Sequence, residues 1–149
     1  MRGYSAIGLY NPKKEPNLGG VFRAAHCYGS SLVVISGKRP RLIRFTADTT
    51  KAWKHLPVVW TEDLLSCVPV GVDIVGVELK DGAKPLPEFH HPERGFYIFG
   101  LEDGSIPDEL WRHCTRKVMI PTKYCMNLAA TVNVVLYDRL AKNGGRHDV

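Results

Sequence analysis

The sequence predicts an α/β fold built on a parallel sheet. Short apolar segments alternate along the chain with segments in which hydrophobic residues recur at helical spacing. The apolar segments are hydrophobic at consecutive positions, which is typical of strands that are covered on both faces. The chain has 149 residues, of which 44% are hydrophobic and 23% are charged. This length and composition indicate one globular domain over residues 1–149.

Three strands and two helices are predicted in the N-terminal part. The strands are the apolar runs at residues 5–10, 31–36 and 57–60. Asn17 is placed to cap a helix that extends to about Tyr28, because apolar residues recur from Val21 at i, i+3, i+4 and i+7. Between the second and third strands, a basic loop leads into a short helix over about residues 49–55.

Three more strands and three helical segments complete the prediction. The strands lie at residues 72–78, 95–99 and 117–120, and a Pro-rich loop separates the first two of them. A brief helix over residues 62–67 precedes these strands. Pro107 suits the first turn of a helix over residues 107–113, and Asn127 starts the final helix, which extends to about residue 142.

Charge is distributed unevenly along the chain. The net charge is +5, from 20 Lys and Arg against 15 Asp and Glu. Residues 1–56 hold ten basic and two acidic side chains, residues 57–111 hold three and eleven, and residues 112–149 hold seven and two. Basic ends of this kind indicate either a surface that binds a polyanion or ordinary solvated faces.

The sequence disfavours several classes of site and compartment. The N-terminus lacks a signal-peptide core and no apolar run reaches the length of a membrane span, so we expect a cytoplasmic protein with no membrane partner. The cysteines lack metal-ligand spacing, so we expect no metal. The absence of GxGxxG after the first strand, of a P-loop and of GxSxG argues against dinucleotide-binding, P-loop and α/β-hydrolase sites.

Polar segments occur at the C-terminal ends of three predicted strands, where parallel sheets bind ligands. They are residues 17–23 (NLGGVFR), 99–107 (FGLEDGSIP) and 120–128 (IPTKYCMNL). Each has a structural explanation by itself, since Asn17, Glu102 and Asn127 are suited to capping or starting a helix. Together and in this order, they resemble the motifs of the SPOUT superfamily of methyltransferases, in its SpoU/TrmH-like branch and most closely its small single-domain YibK-type members. The resemblance covers nearly the whole chain.

The resemblance implies a fold, a cofactor and a reaction. The fold is a parallel-sheet α/β domain with a deep trefoil knot in its C-terminal third, and the domain is expected to act as a homodimer. The cofactor is S-adenosylmethionine, bound in the knot. The reaction transfers a methyl group to a ribose 2′-hydroxyl of RNA, with tRNA the favoured substrate and rRNA the other. Two alternatives stay open: a non-catalytic RNA-binding relative and a SPOUT enzyme that methylates a base.

The resemblance also implies roles for individual residues. Arg23 meets the target hydroxyl and the neighbouring phosphate; because a guanidinium stays protonated, clamping is favoured over deprotonation of the hydroxyl. Asn17 and Glu102 orient Arg23 and the ribose, and Asn127 holds the active-site loop or the ribose. The residues expected to line the cofactor pocket are Val77, Gly100, Leu101, Ile120, Cys125 and Leu128. Cys125 and Ser105 depart from the family pattern, which has Ser and Gly at these positions.

Basic residues in and beside these segments are the candidates for RNA binding, because phosphate contacts need Lys and Arg. They are Lys13, Lys14, Lys38, Arg39, Arg41, Arg44 and Lys123. Lys51, Trp53 and Lys54 extend the basic loop, although Trp53 has the alternative of packing against the sheet. Tyr124 lies beside Lys123 and is suited to stack on a splayed base.

Overall fold

The computed structural model describes residues 3–12, 15–37, 51–100 and 104–143, with only the backbone described for residues 15–17. Within these residues the chain forms seven strands and three α-helices. The strands are β1 (Tyr4–Tyr10), β2 (Leu32–Ser36), β3 (Val58–Thr61), β4 (Asp73–Val77), β5 (Lys84–Pro85), β6 (Arg94–Phe99) and β7 (Arg116–Met119). The helices are α1 (Glu15–Cys27), α2 (Asp108–His113) and α3 (Leu128–Lys142). Short 3-10 turns lie at Ala52–Lys54, Leu64–Cys67 and Leu86–Glu88.

The strands form one sheet in the order β3-β2-β1-β6-β4-β7-β5, and every neighbouring pair is parallel. The predicted α/β class with a parallel sheet is therefore confirmed. The centre of the sheet is the pairing of β1 with β6, which runs from Tyr4 opposite Arg94 to Leu9 opposite Phe99. The trefoil knot stays a prediction, because strand order and register do not specify how the connecting loops thread.

Both faces of the sheet pack against other elements of the chain. Successive residues of a strand point to opposite faces, so neighbouring residues of β1 belong to different cores. Ile7 and Leu9 of β1 pack into a core that includes residues of α1 and α3. Ala6, the residue before Ile7, packs into a second core that includes Trp111 of α2 and Leu64. The sheet is thus the middle of three layers, which explains why its strands are apolar at consecutive positions.

Four elements differ from the prediction. Helix α1 begins at Glu15, two residues before the predicted cap at Asn17, because Pro16 is accepted in a first helical turn. The predicted Pro-rich loop contains β5, where Pro85 is tolerated because the strand lies at the edge of the sheet. The helices predicted over residues 49–55 and 62–67 are single 3-10 turns where the structure describes them.

Helices α1 and α3 cross at very short range. A Cβ atom built on Gly20 would lie 2.7 Å from the Cβ of Ala129, so a side chain at residue 20 does not fit without movement. Gly20 belongs to the segment at residues 17–23, and Ala129 directly follows the segment at residues 120–128. The crossing therefore brings the first and third polar segments together.

None of the helices in the described part of the chain is long and apolar enough to cross a membrane.

Candidate active site

A cavity of about 320 Å³ opens at the C-terminal edge of β4, β6 and β7. Its walls come from the ends of these strands, the residues before α2, the loop before α3 and the first turns of α3. Five of the six residues predicted to hold the cofactor line this cavity: Val77, Gly100, Ile120, Cys125 and Leu128. The sixth, Leu101, lies outside the described residues.

Gly100 allows the chain before α2 to pack against the end of β6. A Cβ atom at this position would lie 2.9 Å from Ile106 Cγ1 and 3.3 Å from the Ile106 nitrogen. Ile106 is fully buried and cannot easily move aside. A larger residue at position 100 would therefore displace one wall of the cavity.

Glu78 and Lys80, just after β4, hold the backbone of Ile106 at both of its polar groups. The Glu78 carboxylate accepts the Ile106 N–H at 3.1 and 3.2 Å, and the Lys80 ammonium donates to the Ile106 carbonyl oxygen at 3.0 Å. Lys80 also donates to Asp108 Oδ1 at 2.6 Å, and this hydrogen bond lowers the pKa of the Asp108 carboxyl. Because Ser105 lines the cavity, the two contacts to Ile106 fix the wall beside it.

Glu78 and Lys80 are not among the site residues predicted from the sequence. The available signal was a pair of charged side chains at alternate positions directly after an apolar strand, at the edge where parallel sheets bind ligands. Glu78 is half-buried and lines the cavity itself. Its carboxylate therefore adds negative charge to a wall that is otherwise mainly apolar.

Asn127 caps helix α3. Its Oδ1 accepts the Ala130 N–H at 2.8 Å, and its carbonyl oxygen accepts from the Thr131 N–H at 3.0 Å and from Thr131 Oγ1 at 2.9 Å. The residue is exposed, and its Nδ2 group has no hydrogen-bond partner within the described part of the chain. Capping uses only the acceptor of the amide, so no described residue occupies either of its N–H donors.

The loop between β7 and α3 forms the outer wall of the cavity. The Thr122 N–H donates to the Ile120 carbonyl oxygen at 2.8 Å, and Thr122 Oγ1 donates to the Tyr124 carbonyl oxygen at 2.8 Å. Thr122 and Cys125 line the cavity, whereas Lys123 and Tyr124 lie at the surface, Tyr124 with 83% of its area exposed. A lysine and a tyrosine at this rim suit contacts with a phosphate and a base.

Of the four predicted catalytic residues, the structure describes the side chains of Arg23 and Asn127. Arg23 is exposed on α1 and makes no hydrogen bond or ion pair with the other residues that the structure describes. Helix α1 contacts α3 at Gly20, so Arg23 and Asn127 lie on two helices that touch. The backbone of Asn17 lies in the first turn of α1. Glu102 lies outside the described residues.

The remaining predictions concern RNA-binding residues and metal. Of the seven residues predicted to bind RNA, the structure describes Lys123; outside the described residues lie Lys13, Lys14, Lys38, Arg39, Arg41 and Arg44. Over residues 3–12, 15–37, 51–100 and 104–143, no three His, Cys, Asp or Glu side chains gather into a group that could hold a metal ion.

Solved structures share the fold of this chain. The SpoU methyltransferase AviRb from Streptomyces viridochromogenes matches with a TM-score of 0.83 and 16% identity, over 98% of this chain and 62% of that one. An AdoMet-bound rRNA methyltransferase from Sinorhizobium meliloti matches with a TM-score of 0.82 and 21% identity, over 95% and 57%. The chain thus spans about three-fifths of the length of these two proteins.

A third structure has nearly the same length as this chain. It is described as giving structural insights into the 2-OH methylation of C/U34 on tRNA, and it matches with a TM-score of 0.81 and 22% identity, over 97% of this chain and 99% of that one. At these identities, the three similarities show that the chain has the methyltransferase fold of these proteins.

Sequence comparison identifies the family. No curated protein sequence matches the chain. The sequence model of the SpoU rRNA Methylase family matches residues 5–137, a range that includes all three polar segments. The match confirms the resemblance predicted from the motifs, and the chain therefore belongs to the SpoU rRNA Methylase family.

Proposed function

We propose that the chain is an S-adenosylmethionine-dependent RNA methyltransferase that acts on a ribose 2′-hydroxyl, and that its substrate is tRNA. The observation that carries the proposal is the cavity at the C-terminal edge of the sheet. The second and third polar segments line it, and α1 carries the first segment against α3. Two relatives support the cofactor and the substrate, since one is AdoMet-bound and the other concerns 2-OH methylation on tRNA.

The residues of the cavity suit this cofactor. A volume of about 320 Å³ lies within the range of small-molecule pockets. Val77, Phe99, Ile120 and Leu128 offer apolar surface for a purine ring. When bound, S-adenosylmethionine supplies a methyl group carried on a positively charged sulfur. The half-buried carboxylate of Glu78 favours a cationic ligand in the same cavity.

The protein residues position and stabilise the reacting hydroxyl. Arg23 has no competing partner within the described chain, so its guanidinium is available to a phosphate and to the charge that develops on the ribose oxygen. It stays protonated, so the proton of the hydroxyl passes to solvent water, and the guanidinium stabilises the alkoxide character of the ribose oxygen as the methyl group moves from sulfur to oxygen. The N–H donors of Asn127 hold the ribose, and Asn17 and Glu102 orient Arg23. Positioning of this kind accounts for much of the rate enhancement in group transfer.

We also infer that the protein acts as a homodimer. Helix α3 exposes Val134 and Tyr137, which lie about one helical turn apart with 37% and 60% of their areas accessible. A second copy that covers this face would add its own basic surface for RNA. Light scattering is expected to give the mass of two chains, and the mass of one chain would contradict the inference.

Two measurements test the reaction. Calorimetry with S-adenosylhomocysteine is expected to show binding, and incubation with tRNA and labelled S-adenosylmethionine is expected to yield 2′-O-methylated nucleosides. Label found on a base would instead indicate a base methyltransferase. RNA binding without binding of S-adenosylhomocysteine would indicate a non-catalytic relative.

The proposed catalytic role of Arg23 is tested by a variant of this residue. Arg23→Ala is expected to abolish methyl transfer and to leave the affinity for S-adenosylhomocysteine unchanged, because Arg23 acts on the RNA. Arg112→Ala is the matched control, since Arg112 is an exposed arginine of α2 on the opposite face of the sheet. Turnover by Arg23→Ala at the rate of this control would show that Arg23 is not catalytic.

A further inference from the structure

A short turn before β3 is anchored by two buried residues and exposes the residues around them. Ala52 is fully buried and Leu56 is 6% exposed, and both pack in the core that also contains α1. Lys51, Lys54 and His55 are exposed, and Trp53 exposes 42% of its area. The core therefore fixes the turn while a tryptophan and three basic side chains lie at the surface.

An exposed ring on α1 extends this turn toward the proposed active site. His26 of α1 stacks on His55, with ring centroids 5.5 Å apart and planes inclined by 23°. His26 lies three residues after Arg23, and both side chains are exposed on the helix. Lys54 Nζ lies 5.4 Å from the centroid of the Trp53 ring. Aromatic and basic groups thus continue from Arg23 across α1 to the turn.

The charge of this region is not neutralised within the described chain. The ion pairs that the structure describes lie elsewhere, for example between Lys80 and Asp108 and between Arg116 and Asp73. Neither Lys51 nor Lys54 forms one with a described carboxylate. A positive surface that carries flat rings is complementary to an unpaired nucleic-acid strand, which offers both phosphates and base faces.

We propose that His26, Trp53, Lys54 and His55, here named the aromatic–basic surface, bind an unpaired RNA segment beside the methylated nucleotide. The inference rests on the proposed RNA substrate. Trp53 stacks on a base, and Lys54 contacts a phosphate. The segment is unpaired because the faces of bases within a duplex are already stacked. It is adjacent to the target because His26 lies about one helical turn from Arg23.

The experiment measures RNA affinity by fluorescence anisotropy, with a labelled RNA hairpin that has an unpaired loop and a fully paired RNA of equal length. Trp53→Leu is expected to raise the Kd for the hairpin about tenfold, as loss of one base–aromatic stack does. Trp53→Phe keeps a ring and is expected to retain most of the affinity. For the fully paired RNA, the two variants are expected to bind alike.

The contribution of the Lys54 charge is tested by measuring how the affinity for the RNA hairpin depends on salt concentration. Lys54→Ala is expected to reduce the slope of log K against log salt by about 0.7, the value for one contact to a single-stranded phosphate. Lys84→Ala is the matched control, because Lys84 is an exposed lysine of β5 at the opposite edge of the sheet from β3. This control is expected to leave the slope unchanged.

Binding of S-adenosylhomocysteine, measured for every variant, separates the possible failures. If the wild-type protein methylates RNA and Trp53→Leu and Lys54→Ala bind the hairpin as tightly as it does, the inference is overturned and the proposed function stands. Equal losses for Trp53→Leu and Trp53→Phe would also overturn stacking by Trp53. If the wild-type protein binds S-adenosylhomocysteine but no RNA, the RNA substrate and the aromatic–basic surface are both wrong.

Discussion

The crossing of α1 and α3 can be tested by moving one methyl group across it. A Cβ at Gly20 would lie 2.7 Å from the Cβ of Ala129, whereas carbon atoms in favourable contact are about 3.5–4.0 Å apart. Gly20→Ala therefore has to push the helices apart by about 1 Å. Ala129→Gly removes the atom that the new methyl group meets, so the two changes together should fit.

The expected energies follow from two opposing effects. Alanine in place of glycine stabilises a helix interior by about 1 kcal/mol, whereas overpacking destabilises a protein by about 1–3 kcal/mol. Gly20→Ala alone should thus lower the free energy of unfolding by about 0–2 kcal/mol, and Ala129→Gly alone by about 1 kcal/mol. In the double variant the helix propensities cancel and the overlap is gone. Its stability should return to nearly that of the wild type, with a coupling of about 1–3 kcal/mol.

Urea unfolding of the four proteins measures this coupling. The rate of methyl transfer should change in the same way as the stability. It should fall in Gly20→Ala and recover in the double variant, because α1 carries Arg23 and α3 begins at the cavity. Effects of the single changes that simply add, within about 0.5 kcal/mol, would refute the described contact between the helices.

Three further predictions concern Lys80, which donates to the Ile106 carbonyl oxygen, the buried His91 side chain, and Cys125, which lines the cavity. Lys80→Met leaves the Ile106 carbonyl oxygen without its donor, and urea unfolding should show a loss of about 1 kcal/mol. Burial lowers the pKa of His91, so the unfolded chain binds more protons than the folded protein as the pH falls through about 6.5. Thermal stability should therefore decline below that pH, and less steeply in His91→Gln. Cys125→Ser should change the methylation rate by no more than about twofold, because Cys125 is exposed and makes no hydrogen bond with described residues.

Each of these predictions has a result that contradicts it. Lys84→Met is the control for Lys80→Met, and equal stability of the two variants would mean that the contact to Ile106 contributes nothing. A wild-type Tm that rises as the pH falls below about 6.5 would contradict the pKa direction of His91. A large loss of rate in Cys125→Ser would give the thiol a role of its own.

The sequence was most informative where burial is two-sided. β1, β2 and β6 lie within one residue of their predicted bounds, because dense apolar runs are required wherever both faces of a sheet are covered. β5 has only two residues, including Pro85, and is specified by its pairing with β7 rather than by a local pattern. The start of α1 was misplaced because Asn17 has the features of a cap, whereas the helix begins at Glu15 and holds Pro16 in its first turn.

The residues of the candidate site also fall into two groups, those that could be predicted from the sequence and those that could not. Five of the residues predicted to hold the cofactor line one cavity, because parallel strands end at the same edge. Contacts between residues that are far apart in the sequence could not be predicted, because no local sequence pattern indicates them. Glu78 meets Ile106 across 28 positions, and His26 stacks on His55 although neither belongs to a motif. Such pairs depend on how the strands are ordered, which the hydrophobic pattern leaves open.

That strand order has a consequence for how the chain is made. Among the described strands, β4 pairs with β6 and β7, and β1 pairs with β2 and β6. Each of them therefore lacks a neighbour until a later strand has been synthesised. At about 5–20 residues per second, β6 is completed on the order of seconds after β4. During this interval an apolar strand has two open edges, which is a recognised route to aggregation. A nascent chain that stops before β6 leaves β4 with no neighbour in the sheet and β1 with only one.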